Sequence, residues 1–255
     1  VTEGSDHLSE SAAARLPEPE TLLRETDWVA LDHARGTAED IPAALSALLS
    51  PDPAARSRAL DHGLEPVRHQ NSIYSATPPT ALYLAAILSD PRTTAVGSYE
   101  LMQRRQRERR QLPLRAALLD WLHLLALDAN DECLAATRRY GLEDPHMESL
   151  RALRPTLFHA VAEYLLDADL VVRHAALAAA IPLAEDPELA SYRAELMRLA
   201  EQLLATSTDH RFRASALGGL RAWQDGARDL ATPGGTSGPT TLDSWDGGYF
   251  DEPPF

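Results

Sequence analysis

Apolar positions in this 255-residue chain recur with helical spacing along most of its length. Val172, Ala176, Ala179, Ala180 and Leu183 fall at i, i+4, i+7, i+8 and i+11, and Leu114, Leu118, Trp121, Leu122 and Leu125 repeat those offsets. Such spacing places the apolar side chains on one stripe of a 3.6-residue helix, so each segment predicts a one-faced amphipathic helix of about three turns. A capping side chain stands directly before proline at Asp52-Pro53, Thr77-Pro78, Asp144-Pro145 and Asp186-Pro187. The side-chain oxygen takes an orphan amide of the first turn and proline lacks one, so each pair predicts a helix start. No run of alternating apolar and polar positions with hairpin turns stands out, and the body is expected to be all-α.

Self-comparison shows a repeat. Leu48-Leu49 followed by Asp52, Arg56 and Ala59-Leu60 matches Leu165-Leu166 followed by Asp169, Arg173 and Ala176-Leu177. A third copy keeps Asp209, Arg213, Ala216 and Leu217, 40 residues after the second, with Leu203-Leu204 displaced by two. The pattern has a mechanical reason. One helix ends at the double leucine, aspartate caps the next, and arginine one turn on can pair with the aspartate or reach a neighbouring repeat. The Ala-Leu pair then faces inward, where the small residue permits close helix approach. A helix–turn–helix unit of about 40 residues that stacks on copies of itself makes a solenoid.

On these residues the chain resembles HEAT repeats, including the HEAT-like repeats of phycobilisome-lyase proteins. A further unit is traced through Pro78–Leu88 and Pro113–Leu127, where Arg115, Leu118 and Leu119 keep register but Gln111 replaces the capping aspartate. Trp28–Ala34, Ala38–Pro42 and His69–Thr77 also resemble a group of HEAT-repeat proteins common in actinobacteria. The resemblance implies a right-handed α-solenoid of about four to five HEAT-like helix pairs over 28–230, interrupted by an Arg-rich insertion at about 90–112. An acidic, partly ordered arm (1–27) would precede it. From Thr232 the chain is rich in Gly, Pro, Ser and Thr without helical period, so 231–255 is expected to be a disordered acidic and aromatic tail.

Charge refines this picture. The net is −14, and all 24 basic residues are arginine. Residues 1–27 and 225–255 carry −5 each, leaving a body of only −4. The bulk charge repels phosphate and argues against general nucleic-acid or anionic-membrane binding. The single cysteine, Cys133, excludes a disulfide framework and an all-cysteine zinc site. No apolar run is long enough to span a membrane. The acidic, proline-containing first residues are the opposite of a secretory signal, so a cytoplasmic monomer is expected.

No catalytic motif stands out, and no cofactor or metal is expected. Nine histidines lack the i, i+4 pairing of a helical metal site. His159 and Glu163 share a helix face and are expected to be a helical salt bridge or a solvated pair rather than a ligand set, and His174, next to Arg173, is expected on the exposed side of its helix. Acidic neighbours should raise the Cys133 pKa, leaving it a packing residue. Asp52, Asp169 and Asp209 read as caps rather than acids or bases. The candidate binding residues are His69, Gln70 and Tyr74 in a polar inter-helix segment, and Arg104, Arg105, Arg107, Arg109 and Arg110 in the insertion. Trp245, Tyr249 and Phe250 in the tail complete the set. The expected function is a non-enzymatic protein-binding scaffold using the curved solenoid face, with a partner that carries a basic patch. The bacterial setting of the resemblance extends this to an immunity- or antitoxin-like role. Two alternatives are nucleic-acid binding through the arginine run and a subunit of a modifying enzyme or lyase.

Overall fold

The computed structural model describes residues 16–103 and 106–231. The chain is mostly helical. In chain order the helices are α1 (Pro19–Glu25), α2 (Ile41–Ala47), α3 (Pro53–Arg58), α4 (Thr77–Ile87), α5 (Leu114–Asp128), α6 (Asp131–Arg139), α7 (Pro145–Ala152), α8 (Arg154–Ala162), α9 (Leu170–Leu183), α10 (Arg193–Thr206) and α11 (His210–Ala231). Strands β1 (Asp32–His33) and β2 (Gly36–Thr37) form a small ladder between α1 and α2, and β3 (Val96–Gln103) pairs antiparallel with β4 (Gln106–Pro113) between α4 and α5. The chain divides into two compact units after Leu220. The described part of the second, Arg221–Ala231, is helical.

The core of the first unit lies along α5 and α9, which pack on each other, with α4 against α5 and with α8 and α10 against α9. Both central helices are buried on more than the single stripe expected. In α9 every residue from His174 to Leu183 is buried. Its alanines (175, 176, 178, 179 and 180) present so little bulk that neighbours close in from several sides. That corrects the expectation for His174, which is buried with its ring edge-on to Phe212 at 5.7 Å. Helix α11 comes close enough to α9 that a Cβ on Gly219 would overlap Ile181 Cγ2.

The three repeat copies adopt the same local structure. Asp52 accepts from Ala54 N and Ala55 N, Asp169 from Val171 N and Val172 N, and Asp209 from Arg211 N. Each opens the second helix of its copy after a short turn. Replacing Asp52 or Asp169 by alanine is therefore expected to cost about 1 kcal/mol, read as a fall in denaturation midpoint with unchanged slope. Thr77 departs from the expected role. It lies inside α4, and its Oγ1 donates to Val67 O instead of capping. In the third copy Ala216 is buried while Leu217 is 41% exposed, one position round the helix being enough to carry it off the buried face.

The repeat arginine does not pair with its capping aspartate. Arg56 Nη1 donates to Ser50 O (2.8 Å) and Pro51 O (3.2 Å), and Arg213 Nη1 to Leu204 O and Ser207 O. The last carbonyls of a helix and those of the turn after it have no intrahelical partner, and a guanidinium from a later helix satisfies them. Non-repeat arginines do the same: Arg115 on Leu88 O, Arg151 and Arg154 on Ala129 O, and Arg193 on Ala184 O and Glu185 O. A planar fork reaches two divergent carbonyls at once, which an ammonium cannot do with the same geometry.

The Arg-rich insertion is a β-hairpin, which corrects the strand-free body expected. Gly97, Tyr99 and Leu101 alternate inward while Val96, Ser98 and Glu100 are less buried, a period of two. Ser57 Oγ donates to Ser98 O (2.6 Å), and Asp61 accepts from Glu100 N (3.0 Å), fixing the hairpin to the end of α3. Asp61 lies in a π-helical turn (Ala59–Gly63) that continues α3. Part of the acidic arm is also structured: Leu22 is buried and α1 packs on α4. The tail expected at 231–255 lies outside the described residues beyond Ala231.

Candidate functional site

Where the middle of the hairpin meets α5, a cleft of about 200 Å³ opens. The π-turn supplies Leu60 and Asp61, and the segment after it supplies Glu65, Arg68, Gln70 and Asn71. β3 supplies Glu100 and Leu101, and α5 supplies Ala117, Asp120, Trp121 and Leu124. Its lining thus holds four carboxylates, one guanidinium, two amides and an indole.

The chain enters the cleft under strain. Gln70 (φ 54°) and Asn71 (φ 59°) are consecutive non-glycine residues in the left-handed region. Such a conformation costs on the order of 1–2 kcal/mol for an L-residue. Both side chains are exposed at the cleft mouth. Arg68 anchors the segment through Asp128 (2.5 Å) and Asn71 Oδ1 (3.1 Å). His69 Nδ1 meets Glu65 Oε1 at 2.5 Å, and Glu65 also pairs with Arg35 (2.6 Å).

Each carboxylate is steadied from behind. Asp61 takes Arg109 at 3.2 Å, Glu100 takes the same guanidinium at 2.9 Å directly across the ladder, and Asp120 takes Arg211 at 2.9 Å. Burial pushes the Asp61 carboxyl up despite the Glu100 amide and the Arg109 charge. Burial pushes Asp120 up to about 6, with Arg211 opposing it. Three residues along α5, His123 Nε2 lies 2.9 Å from Ser215 Oγ, and burial followed by the Arg211 and Arg68 charges drives its pKa down to about 4. The ring is neutral at physiological pH. Among the described residues no carboxylate bonds its other nitrogen, so the pair lacks the orienting group of a nucleophile–base–acid relay.

Of the sequence-predicted residues, Gln70 lines this cleft, and His69 reaches it only through its bond to Glu65. Tyr74 lies just beyond it, half-buried, its amide donating to Thr77 Oγ1. Arg109 and Arg110 are committed internally, Arg109 as above and Arg110 to Glu108 (3.2 Å) and Asp209 (2.8 Å). Of Arg107 only the backbone is described, opposite Met102. Arg104, Arg105, Trp245, Tyr249 and Phe250 lie outside the described residues. Sequence reasoning missed Asp61, Asp120, His123, Trp121 and Arg211 as a set. The available signal was Asp120 and His123 standing among leucines at i, i+3, charges at core positions.

A second concavity, about 480 Å³, runs between α9 and α10, lined by Leu165, Leu170, Leu177, Leu199 and Leu203 together with Arg173 and His174. Cys133 is half-buried, and burial followed by Asp128, Glu132 and Glu185 raises its thiol pKa. Among the described residues no three His, Cys, Asp or Glu side chains cluster as a metal site, and no helix is long and apolar enough to cross a membrane. Set against known proteins, the chain matches no family model, no curated protein and no solved structure.

Proposed function

We propose that the chain is a non-enzymatic protein-binding scaffold of stacked HEAT-like helix pairs, whose cleft between the hairpin and α5 receives a basic side chain of its partner. The observation that carries this is the cleft lining: Asp61, Glu65, Glu100 and Asp120 around the indole of Trp121. Carboxylates and an aromatic face together suit an arginine or lysine head, by ion pairing and cation–π attraction, and the leucines suit its aliphatic stem. The rear guanidiniums hold the carboxylates in place, so little ordering entropy remains to oppose binding. The strained Gln70-Asn71 pair puts two amides at the rim to orient what enters. A solenoid supports the same function, because stacked helix pairs present a long surface to a macromolecule and enclose small substrates poorly. The described members of the arginine run, Arg109 and Arg110, serve carboxylates of the chain itself, which favours a protein partner over nucleic acid.

The test is capture of a partner from the source organism by wild type and by Gln70→Lys and Trp121→Ala, with melting temperatures as folding controls. Gln70 is exposed, so its replacement leaves the core intact. Each variant is expected to weaken capture at least about tenfold, and the captured protein is expected to present an exposed basic residue. Undiminished capture by both variants contradicts the proposal.

A further inference from the structure

We propose that the groove between α9 and α10 is a second docking surface, which takes a short apolar segment of another protein carrying a carboxylate, with Arg173 as the recognising cation. This goes beyond the cleft and shares none of its lining residues.

The repeat itself singles out Arg173. At the same repeat position Arg56 donates to carbonyls of the turn before its helix, and Arg213 to carbonyls at the end of the preceding helix. Arg173 makes no such bond and no ion pair among the described residues; its buried Nε lacks a partner as that of Arg56 does, so the difference lies in its Nη arms, which have no acceptor. Its guanidinium instead lines the groove beside Leu170, Leu177, Leu199 and Leu203. The acids closest to it in sequence are occupied elsewhere. Asp169 caps α9, and Asp167 accepts from Asp169 N and faces Arg115. Nη arms without an acceptor at the groove wall offer an incoming carboxylate short, charge-assisted bonds.

The surroundings fix the rest of the partner's chemistry. Leu166 (72% exposed), Leu170 (51%) and Val171 (39%) stand within six residues at the start of α9 and the turn before it. Leu170 lines the groove, and Leu166 follows the lining residue Leu165 directly in sequence, so exposed apolar positions continue from the groove wall. The volume of about 480 Å³ falls within the range of about 300–1,000 Å³ of ligand pockets. His174, held edge-on to Phe212, helps close the groove beside Arg173. A segment with bulky apolar residues and one Asp or Glu satisfies both features at once, whereas a basic segment would meet Arg173 with like charge.

The experiment is selection of a displayed library of random dodecapeptides on the full-length protein, followed by affinity measurement of synthetic peptides. The expected winners place Asp or Glu beside at least two bulky apolar residues. Their affinity falls at least about tenfold on Arg173→Gln and on Leu166→Asp, with melting temperature unchanged for the exposed Leu166 variant. Selection on Arg173→Glu is expected to turn to peptides carrying Lys or Arg. Gln70→Lys leaves the winners' affinity unaltered, which separates this surface from the cleft. Winners without an acidic residue, binding indifferent to Arg173, no groove-dependent winners, or self-association that Leu166→Asp abolishes would each overturn the proposal.

Discussion

Replacing Arg154 by alanine is expected to lower the melting temperature by about 10 °C. Arg154 is 3% exposed and ties three elements together. It donates to Ala129 O at the end of α5 (2.8 Å), to Asp131 at the start of α6 (3.2 Å) and to Glu185 beyond α9 (3.4 Å). Burial raises the Glu185 carboxyl, so its ionised form depends on the cations facing it. Truncation would leave that half-buried carboxylate with one cation fewer and remove one of the two donors to Ala129 O. Breaking a buried ion pair from one side costs roughly 3–5 kcal/mol, which for a chain of this size corresponds to about 10 °C. Arg154→Lys is expected to recover only part of the loss, because an ammonium cannot repeat the fork. Thermal unfolding followed by circular dichroism reads both variants. A shift of a degree or two for alanine would show that Arg151, which bonds the same carbonyl and Asp131, suffices alone.

The second large effect is in pH. His123 and Asp120, one turn apart on α5, have pKa values displaced in opposite senses, to about 4 and about 6. For His123 the folded value lies below the unfolded one. Its contribution is therefore present above about pH 6.5 and is lost as pH falls toward 4, by about 3 kcal/mol. For Asp120 the folded value lies above the unfolded one. Its buried charge is a cost at neutral pH, relieved by roughly 2–3 kcal/mol over the same acidification. The two nearly cancel in wild type. His123→Gln removes only the first, so the variant is expected to gain about 3 kcal/mol relative to wild type between pH 7 and pH 4. Urea denaturation of both proteins across that range measures it. A difference independent of pH would mean that His123 is not buried neutral against Arg211 and Ser215.

How much of this was legible in the sequence depends on whether the signal is local. The capping aspartates were, because Asp52, Asp169 and Asp209 act on amides two or three residues away. The arginines at the same spacing were recognised, but not their acceptors, since Arg213 on Leu204 O depends on how the turn folds back. The hairpin was obscured by composition. Its second strand is written mostly in Gln, Arg and Glu, and only Gly97, Tyr99 and Leu101 of the first carry the alternation, so the charge run hid a period of two. Helix α9 looked one-faced because alanine contributes little to an apolar stripe, although it is alanine that allows burial all round. The cleft was half visible. His69 and Gln70 belong to a polar segment that stood out between helices, whereas Asp120 and Arg211, separated by 91 positions, meet only in the folded chain.

Hydrogen–deuterium exchange of the complex with the captured partner is the most direct measurement of what the cleft does. The account predicts new protection in Leu60–Asn71, Glu100–Leu101 and Ala117–Leu124, the three segments that line the cleft, weakened by Gln70→Lys. Protection confined to segments away from them, such as α6 and α7, and unchanged in that variant, would contradict it.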